Sequence, residues 1–167
     1  MQDSEIELIN QAEKNAQTLI EKLKLKSLTL ALSESCTAGF VSAIIAGIPG
    51  ASAVLWGSYV CYKPEAKVSM LGLDSAELLA NRLVSGETAS SMAASTLQKS
   101  GANLAAAVTG LAGPDGDGSN VPVGTVWIAV ASGKKIEAKE YHFNGSRNEV
   151  RLKAAIAVLE LIFKALT

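Results

Sequence analysis

Apolar residues recur three and four apart at Ile6, Leu8, Ile9, Ala12, Ala16, Leu19, Ile20 and Leu23, separated by Glu, Lys and Gln. That period predicts a surface helix over residues 4–25 with a single buried stripe. The pattern then changes to an unbroken apolar run, Leu28-Thr29-Leu30-Ala31-Leu32, which predicts a strand over 27–33. After a turn at 33–39 the helical period returns from Phe40 to Gly47, where Ile48-Pro49-Gly50 breaks the chain. Residues 51–53 are too short to assign. A second strand is expected over 55–62, ended by Pro64, and a short helix over 64–71 with Pro at its first position and Gly72 closing it. Another helix is expected over 74–83. Val84-Ser85-Gly86-Glu87-Thr88 then supplies a cap and acidic first turn for a long helix ending near Ser100, with Gly101 just beyond. Residues 104–109 are apolar on both faces, as in a central strand. A loop rich in Gly, Pro and Asp fills 110–122, two strands at 124–131 and 136–143 form a hairpin, and a last helix runs from near Ser146 to the end.

Helices alternating with strands before a closing hairpin define an α/β protein. The expected form is a three-layer α/β/α sandwich with a mixed five-stranded sheet. Neither a linker nor an internal repeat divides the pattern, so residues 1–167 are expected to form one domain.

Composition narrows the function. Hydrophobic residues make up 49% and aromatics only 5%, so small side chains must let helices lie close to the sheet. No apolar run reaches the roughly 18 residues of a spanning helix, and the first residues carry no basic-then-apolar leader pattern. A cytoplasmic chain without a membrane partner is expected. A formal charge of −1 and no basic stripe argue against nucleic acid. Cys36 and Cys61 are expected to stay reduced, and one histidine with two separated cysteines offers no metal cluster. A nearly neutral, Ala-rich surface suits self-association into a homo-oligomer.

The candidate chemistry centres on Ser33-Glu34-Ser35-Cys36-Thr37-Ala38-Gly39, a strand-to-helix turn carrying hydroxyl and thiol groups. Such a turn can present Ser35 to a carbonyl and aim helix N–H groups at the developing oxyanion. The plainer alternative is that Ser35 or Thr37 only caps the helix. The single histidine, His142, lies in the last strand and makes a poor base, so a serine nucleophile would turn to lysine. Lys67, on the short helix after the second strand, is the candidate, with Lys24, Lys26 and Lys63 as others. Its amine must fall from about 10.4 toward 7 to accept a proton near neutrality, which takes desolvation or nearby positive charge. Otherwise it is a surface lysine. Thr109, at the carboxyl end of the third strand, and Gly110 behind it stand where α/β ligands collect. Thr109 could bond Ser35, the lysine or a substrate, or simply close the strand. Arg147 and Arg151 at the start of the last helix suit a phosphate, or could pair with Glu149. Cys36 could replace Ser35 as nucleophile, with Glu34 and Lys67 making a Glu–Lys–Cys arrangement, although small buried cysteines are commonly inert.

The blocks Ser33 to Gly39, Tyr62 with Glu65-Ala66-Lys67, Val84-Ser85, Val108 to Pro114, Pro122 to Trp127 and Gly145 to Arg151 together resemble the C-terminal domain of the CinA family. They occur in family order over nearly the whole chain. The resemblance implies nicotinamide-nucleotide amidase activity, in which nicotinamide mononucleotide is hydrolysed to the nicotinate nucleotide and ammonia. By that similarity Ser35 is the nucleophile, Lys67 its base and Thr109 a supporting catalytic residue. Tyr62 and the arginines, Arg151 more than Arg147, would hold the substrate, with Thr37 and Gly110 beside them. It implies no metal or organic cofactor, and it makes this the stand-alone form without the N-terminal domain of longer members. Two positions depart from the family pattern: Ala38 stands for the commoner first glycine of the turn, and Lys63-Pro64 for the commoner Ser-Asn. They motivate the alternative of a catalytically silent, nucleotide-binding paralogue, serving a partner in competence or DNA-damage physiology.

Overall fold

The computed structural model describes residues 3–166. The first helix, α1 (Asp3–Leu25), buries the expected stripe from Ala12 through Ala16, Leu19 and Ile20 to Leu23, while Ile6 at its start is exposed and Leu8 and Ile9 are half-buried. It ends where Ser27 turns to a φ of 53° and the amides of Lys26, Ser27 and Leu28 bond back to the last helical carbonyls. That closure uses residues expected to begin the first strand, so β1 starts later, at Leu30–Glu34. A turn leads into α2 (Phe40–Ala46), and residues 51–53 form one turn of 3₁₀ helix ahead of β2 (Leu55–Val60).

Next come α3 (Pro64–Leu71), α4 (Ser75–Asn81) and α5 (Gly86–Ser100). Ser85, Gly72 and Gly101 act as the caps read from sequence, whereas Asp74, expected to begin a helix over 74–83, caps one that ends at Asn81. The Asp74 carboxylate accepts from the amides of Ala76 and Glu77, the Ser85 hydroxyl accepts from that of Thr88, and Gly72 and Gly101 close α3 and α5 with left-handed φ. The remaining elements are β3 (Leu104–Gly110), β4 (Thr125–Ser132), β5 (Lys135–His142) and α6 (Arg147–Ala165), which opens on a capping box between Ser146 and Glu149.

The five strands form one sheet in the order β2-β1-β3-β4-β5. β2, β1 and β3 are mutually parallel, β4 runs antiparallel to β3, and β5 antiparallel to β4. Alternate residues of β3 and β4 serve different layers, as a period of two requires. Leu104, Ala106, Val108, Val126, Ile128 and Val130 join the core shared with α1, α2 and α6. On the other face Ala107, Ala129 and Ala131 meet Ala89, Met92 and Ala93 of α5. Methyl groups on both sides of that interface let α5 lie close, which is the use of the Ala-rich composition. Both faces are covered, as an α/β sandwich with a mixed sheet demands. No helix among the described residues is long and apolar enough to cross a membrane.

Candidate active site

Three consequences of the fold meet at the carboxyl end of β1. The amide of Ser35 donates to the carbonyl of Val108 on β3, and the carbonyl of Glu34 accepts from the amide of Cys61 just past β2. Ser35 is therefore held between its two neighbouring strands. α3 follows β2 directly and turns Lys67 inward, where it is 2% exposed. Its Nζ lies 2.8 Å from Ser35 Oγ and donates to the carbonyl of Cys61 at 3.0 Å. Among the described residues no carboxylate pairs with this amine. Desolvation then dominates and lowers its pKa from the usual lysine value. The reading of Lys67 as a surface lysine is overturned, whereas Lys24, Lys26 and Lys63 are exposed.

Beside the pair opens a cavity of about 260 Å³ whose wall includes Ser35, Cys36, Tyr62, Lys67, Thr109 and Arg147. Gly110 also lines it. A Cβ on that residue would stand 2.7 Å from the carbonyl oxygen of Thr125 and 2.8 Å from Val126 Cγ2, so only glycine fits. Arg147 sends Nη1 to the carbonyl of Gly113 at 2.6 Å and Nη2 to the hydroxyl of Tyr62 at 2.7 Å. Three wall residues escaped the sequence reading: Asp115 and Asp117 as individual residues of the long loop, and Leu83 between α4 and α5. The loop's length was the only signal for the aspartates. Nothing in the sequence marked Leu83, whereas its neighbour Val84, also on the wall, stood in the Val84-Ser85 block. Asp117 is held below the usual carboxylate range by hydrogen bonds from Ser119.

Several sequence assignments are corrected. Neither Ser35 nor Thr37 caps α2, because the N-cap is Gly39 and it offers no side chain. The helix is capped from a distance instead. The buried carboxylate of Glu34 accepts from the amide of Val41 at 3.0 Å, the amide of Ser42 at 2.9 Å and the hydroxyl of Thr37 at 2.8 Å. A carboxylate is favoured at a helix N-terminus. Its presence leaves none of these helix amides for an oxyanion, and it removes Glu34 from any Glu–Lys–Cys arrangement. Thr37 is fully buried and does not face the cavity. Thr109 is on the wall, but its hydroxyl donates to the carbonyl of Leu83 at 2.8 Å rather than to Ser35 or Lys67.

The two arginines part company in position. Arg147 faces the cavity, whereas Arg151 lies outside its wall, donating from Nη2 to the carbonyl of Thr37 at 2.9 Å with its guanidinium over the ring of Phe40. Cys36 is on the wall, but burial pushes its thiol up to about 12. His142 stays at the end of β5 with Nδ1 3.4 Å from Thr125 Oγ1, away from the cavity.

The fold and this pocket define an α/β protein with a buried serine–lysine pair at the carboxyl edge of a mixed sheet. The family model of the CinA C-terminal domain matches residues 12–166, and the chain belongs to that family. It is 40% identical over 149 residues to a CinA-like protein of Geobacter metallireducens, covering 89% of this chain and 36% of the relative. A putative competence-damage inducible protein of Lacticaseibacillus casei is 38% identical, with 90% of this chain and 37% of the relative covered. The chain thus spans little more than a third of the length of these relatives. Among solved structures, the competence/damage inducible protein CihA of Agrobacterium tumefaciens superposes with a TM-score of 0.89 at 35% identity, covering 93% of this chain and 95% of that one. A competence damage-inducible protein A of Klebsiella pneumoniae gives 0.90 at 28% identity, with 93% and 96% covered.

Proposed function

We propose that the chain is an amidohydrolase that needs no metal and converts nicotinamide mononucleotide to nicotinate mononucleotide and ammonia, with Ser35 as nucleophile and Lys67 as base. The observation that carries the reading is the 2.8 Å approach of Lys67 Nζ to Ser35 Oγ inside the protein. A neutral amine has two N–H bonds and one lone pair. With one N–H given to the Cys61 carbonyl, the lone pair can accept the Ser35 proton as Oγ attacks the carboxamide carbon.

The tetrahedral oxyanion then needs donors. The amide of Cys36 donates to no backbone carbonyl among the described residues and belongs to a residue on the cavity wall. It is the donor in this reading, in place of the occupied helix amides. Collapse breaks the C–N bond, and Lys67 returns its proton to the leaving nitrogen, which departs as ammonia. Water attacks the resulting ester, its proton passes to Lys67, and Ser35 is released as the acid product leaves. Arg147 retains three N–H donors beyond the two it uses, enough to meet a phosphate.

The test is an ammonia-release assay on nicotinamide mononucleotide, nicotinamide and other small amides. Ser35→Ala should lose activity by at least about 10³-fold while keeping the wild-type melting curve. Full activity in that variant removes Ser35 from the mechanism, and calorimetric binding of the nucleotide without turnover in the wild type replaces the enzyme with a binding module.

A further inference from the structure

We propose that Glu34 and Arg151 are positioning residues, which together grip Thr37 from opposite ends and hold the Ser35 turn in its working shape. The turn has no regular ladder of its own between β1 and α2. Its internal bonds are those of the Ala38 amide to the Ser35 carbonyl and the Phe40 amide to the Thr37 carbonyl. Ala38 and Gly39 both hold positive φ, 53° and 88°, so the local chain has little intrinsic preference for this path.

The missing constraint comes from outside the turn, and both parts converge on one residue. On the inner side the carboxylate of Glu34, 1% exposed, accepts the Thr37 hydroxyl together with the first amides of α2. Its Oε1 also lies 3.3 Å from the hydroxyl of Ser58, which ties the group to β2. On the outer side Arg151, far along the chain on α6, bonds the carbonyl of the same Thr37 and covers Phe40 at the start of α2. Four elements of the fold are thereby fastened to a five-residue turn whose second member, Cys36, carries the amide on the cavity wall. Neither gripping side chain lies on the cavity wall, so the effect on chemistry is exerted through the placement of Ser35 and of the Cys36 amide.

The kinetic half of the claim rests on the amidohydrolase reading. The conformational half does not, and the experiment separates them. Thr37→Val deletes the hydroxyl with little change of volume, and Thr37→Ser keeps it. Arg151→Lys keeps charge without the fork, and Glu34→Gln keeps shape but presents an N–H where only donors converge. For Thr37→Val, Arg151→Lys and Glu34→Gln we expect kcat for ammonia release to fall roughly 10- to 100-fold with KM within about threefold of wild type. Thr37→Ser should restore most of the rate. A rise in KM with kcat preserved in Arg151→Lys would instead mark that arginine as a substrate contact, and a Thr37→Val enzyme as fast as wild type would overturn the grip altogether. If the wild type releases no ammonia from any amide, the amidohydrolase reading fails. The grip is then judged by hydrogen exchange at amides 36–42, where faster exchange in all three variants upholds it and unchanged exchange rejects it.

Discussion

The amine of Lys67 meets the hydroxyl of Ser35 at 2.8 Å in a setting where burial, and not a neighbouring cation, lowers the amine's pKa. The sign of the stability consequence follows. An unfolded lysine titrates near about 10.4, above its folded value, so between the two values the unfolded chain binds more protons and stability rises with pH. Below the folded value the whole cost of burying the ammonium is present. Lys67→Met, of similar shape but never charged, should therefore melt above the wild type at pH 7, and the gap should narrow steadily as pH approaches 10. The same variant should release no ammonia. Thermal melts of both proteins from pH 7 to 10 check this, and a gap that widens with pH contradicts the lowered pKa.

Cys36 shares the cavity wall with Ser35, yet its thiol is pushed up to about 12 by burial. Only about one molecule in 10⁵ would carry the thiolate at pH 7. Iodoacetamide at pH 7.5 should leave the folded protein unlabelled at this position, and Cys36→Ala should keep ammonia release within about threefold of wild type. Loss of activity in Cys36→Ala with Ser35→Ala still active would transfer the nucleophile to sulfur.

The caps and stripes were legible in the sequence because they act within a few residues. Ser85, Gly72 and Gly101 stand where local rules placed them, and the last helix opens at Ser146 as expected. Ser35 and Lys67 could be nominated as well, since a small-residue turn after a strand and a lysine on the next crossover helix both report on sheet edges. What stayed hidden was direction and distance. Glu34 reads as a turn residue that could join a Glu–Lys–Cys arrangement, and only the packing of α2 over β1 turns its carboxylate onto the helix amides. Arg147 and Arg151 differ by one helical turn, and their different fates depend on where α6 crosses the turn and the 110–122 loop. Thr109 could be placed at the right end of the right strand, but the partner of its hydroxyl comes from the α4–α5 connection, which no spacing rule locates.

Arg147 is held by Tyr62 and the Gly113 carbonyl, so its position on the wall is set before any substrate arrives. If it receives the phosphate of a nucleotide, Arg147→Lys should raise KM for nicotinamide mononucleotide roughly tenfold with little change in kcat, because lysine keeps the charge and loses the fork. Nicotinamide, which lacks the phosphate, should be affected far less. Tyr62→Phe should follow the same pattern more weakly, since it frees one N–H of the guanidinium without removing the charge. Steady-state kinetics on the two amides decide the matter, and equal losses on both exclude Arg147 as the phosphate contact.

Ala38 occupies a position where the family pattern commonly has glycine, and its φ of 53° gives the reason for that preference. An alanine there costs about 1 kcal/mol or more in left-handed backbone, while glycine would cost about 0.5–1 kcal/mol through the freedom it regains on unfolding. The first effect is the larger, so Ala38→Gly should raise the melting temperature by about 1–2 °C. Its influence on catalysis should be small for a separate reason: the Ala38 amide already donates to the Ser35 carbonyl at 3.0 Å, so the methyl crowds no donor that an oxyanion would use. Melting curves and ammonia-release rates on the one variant measure both effects. A rate increase of tenfold or more would show instead that this methyl restrains the chemistry, and the sequence departure at residue 38 would then count as a partial loss of function.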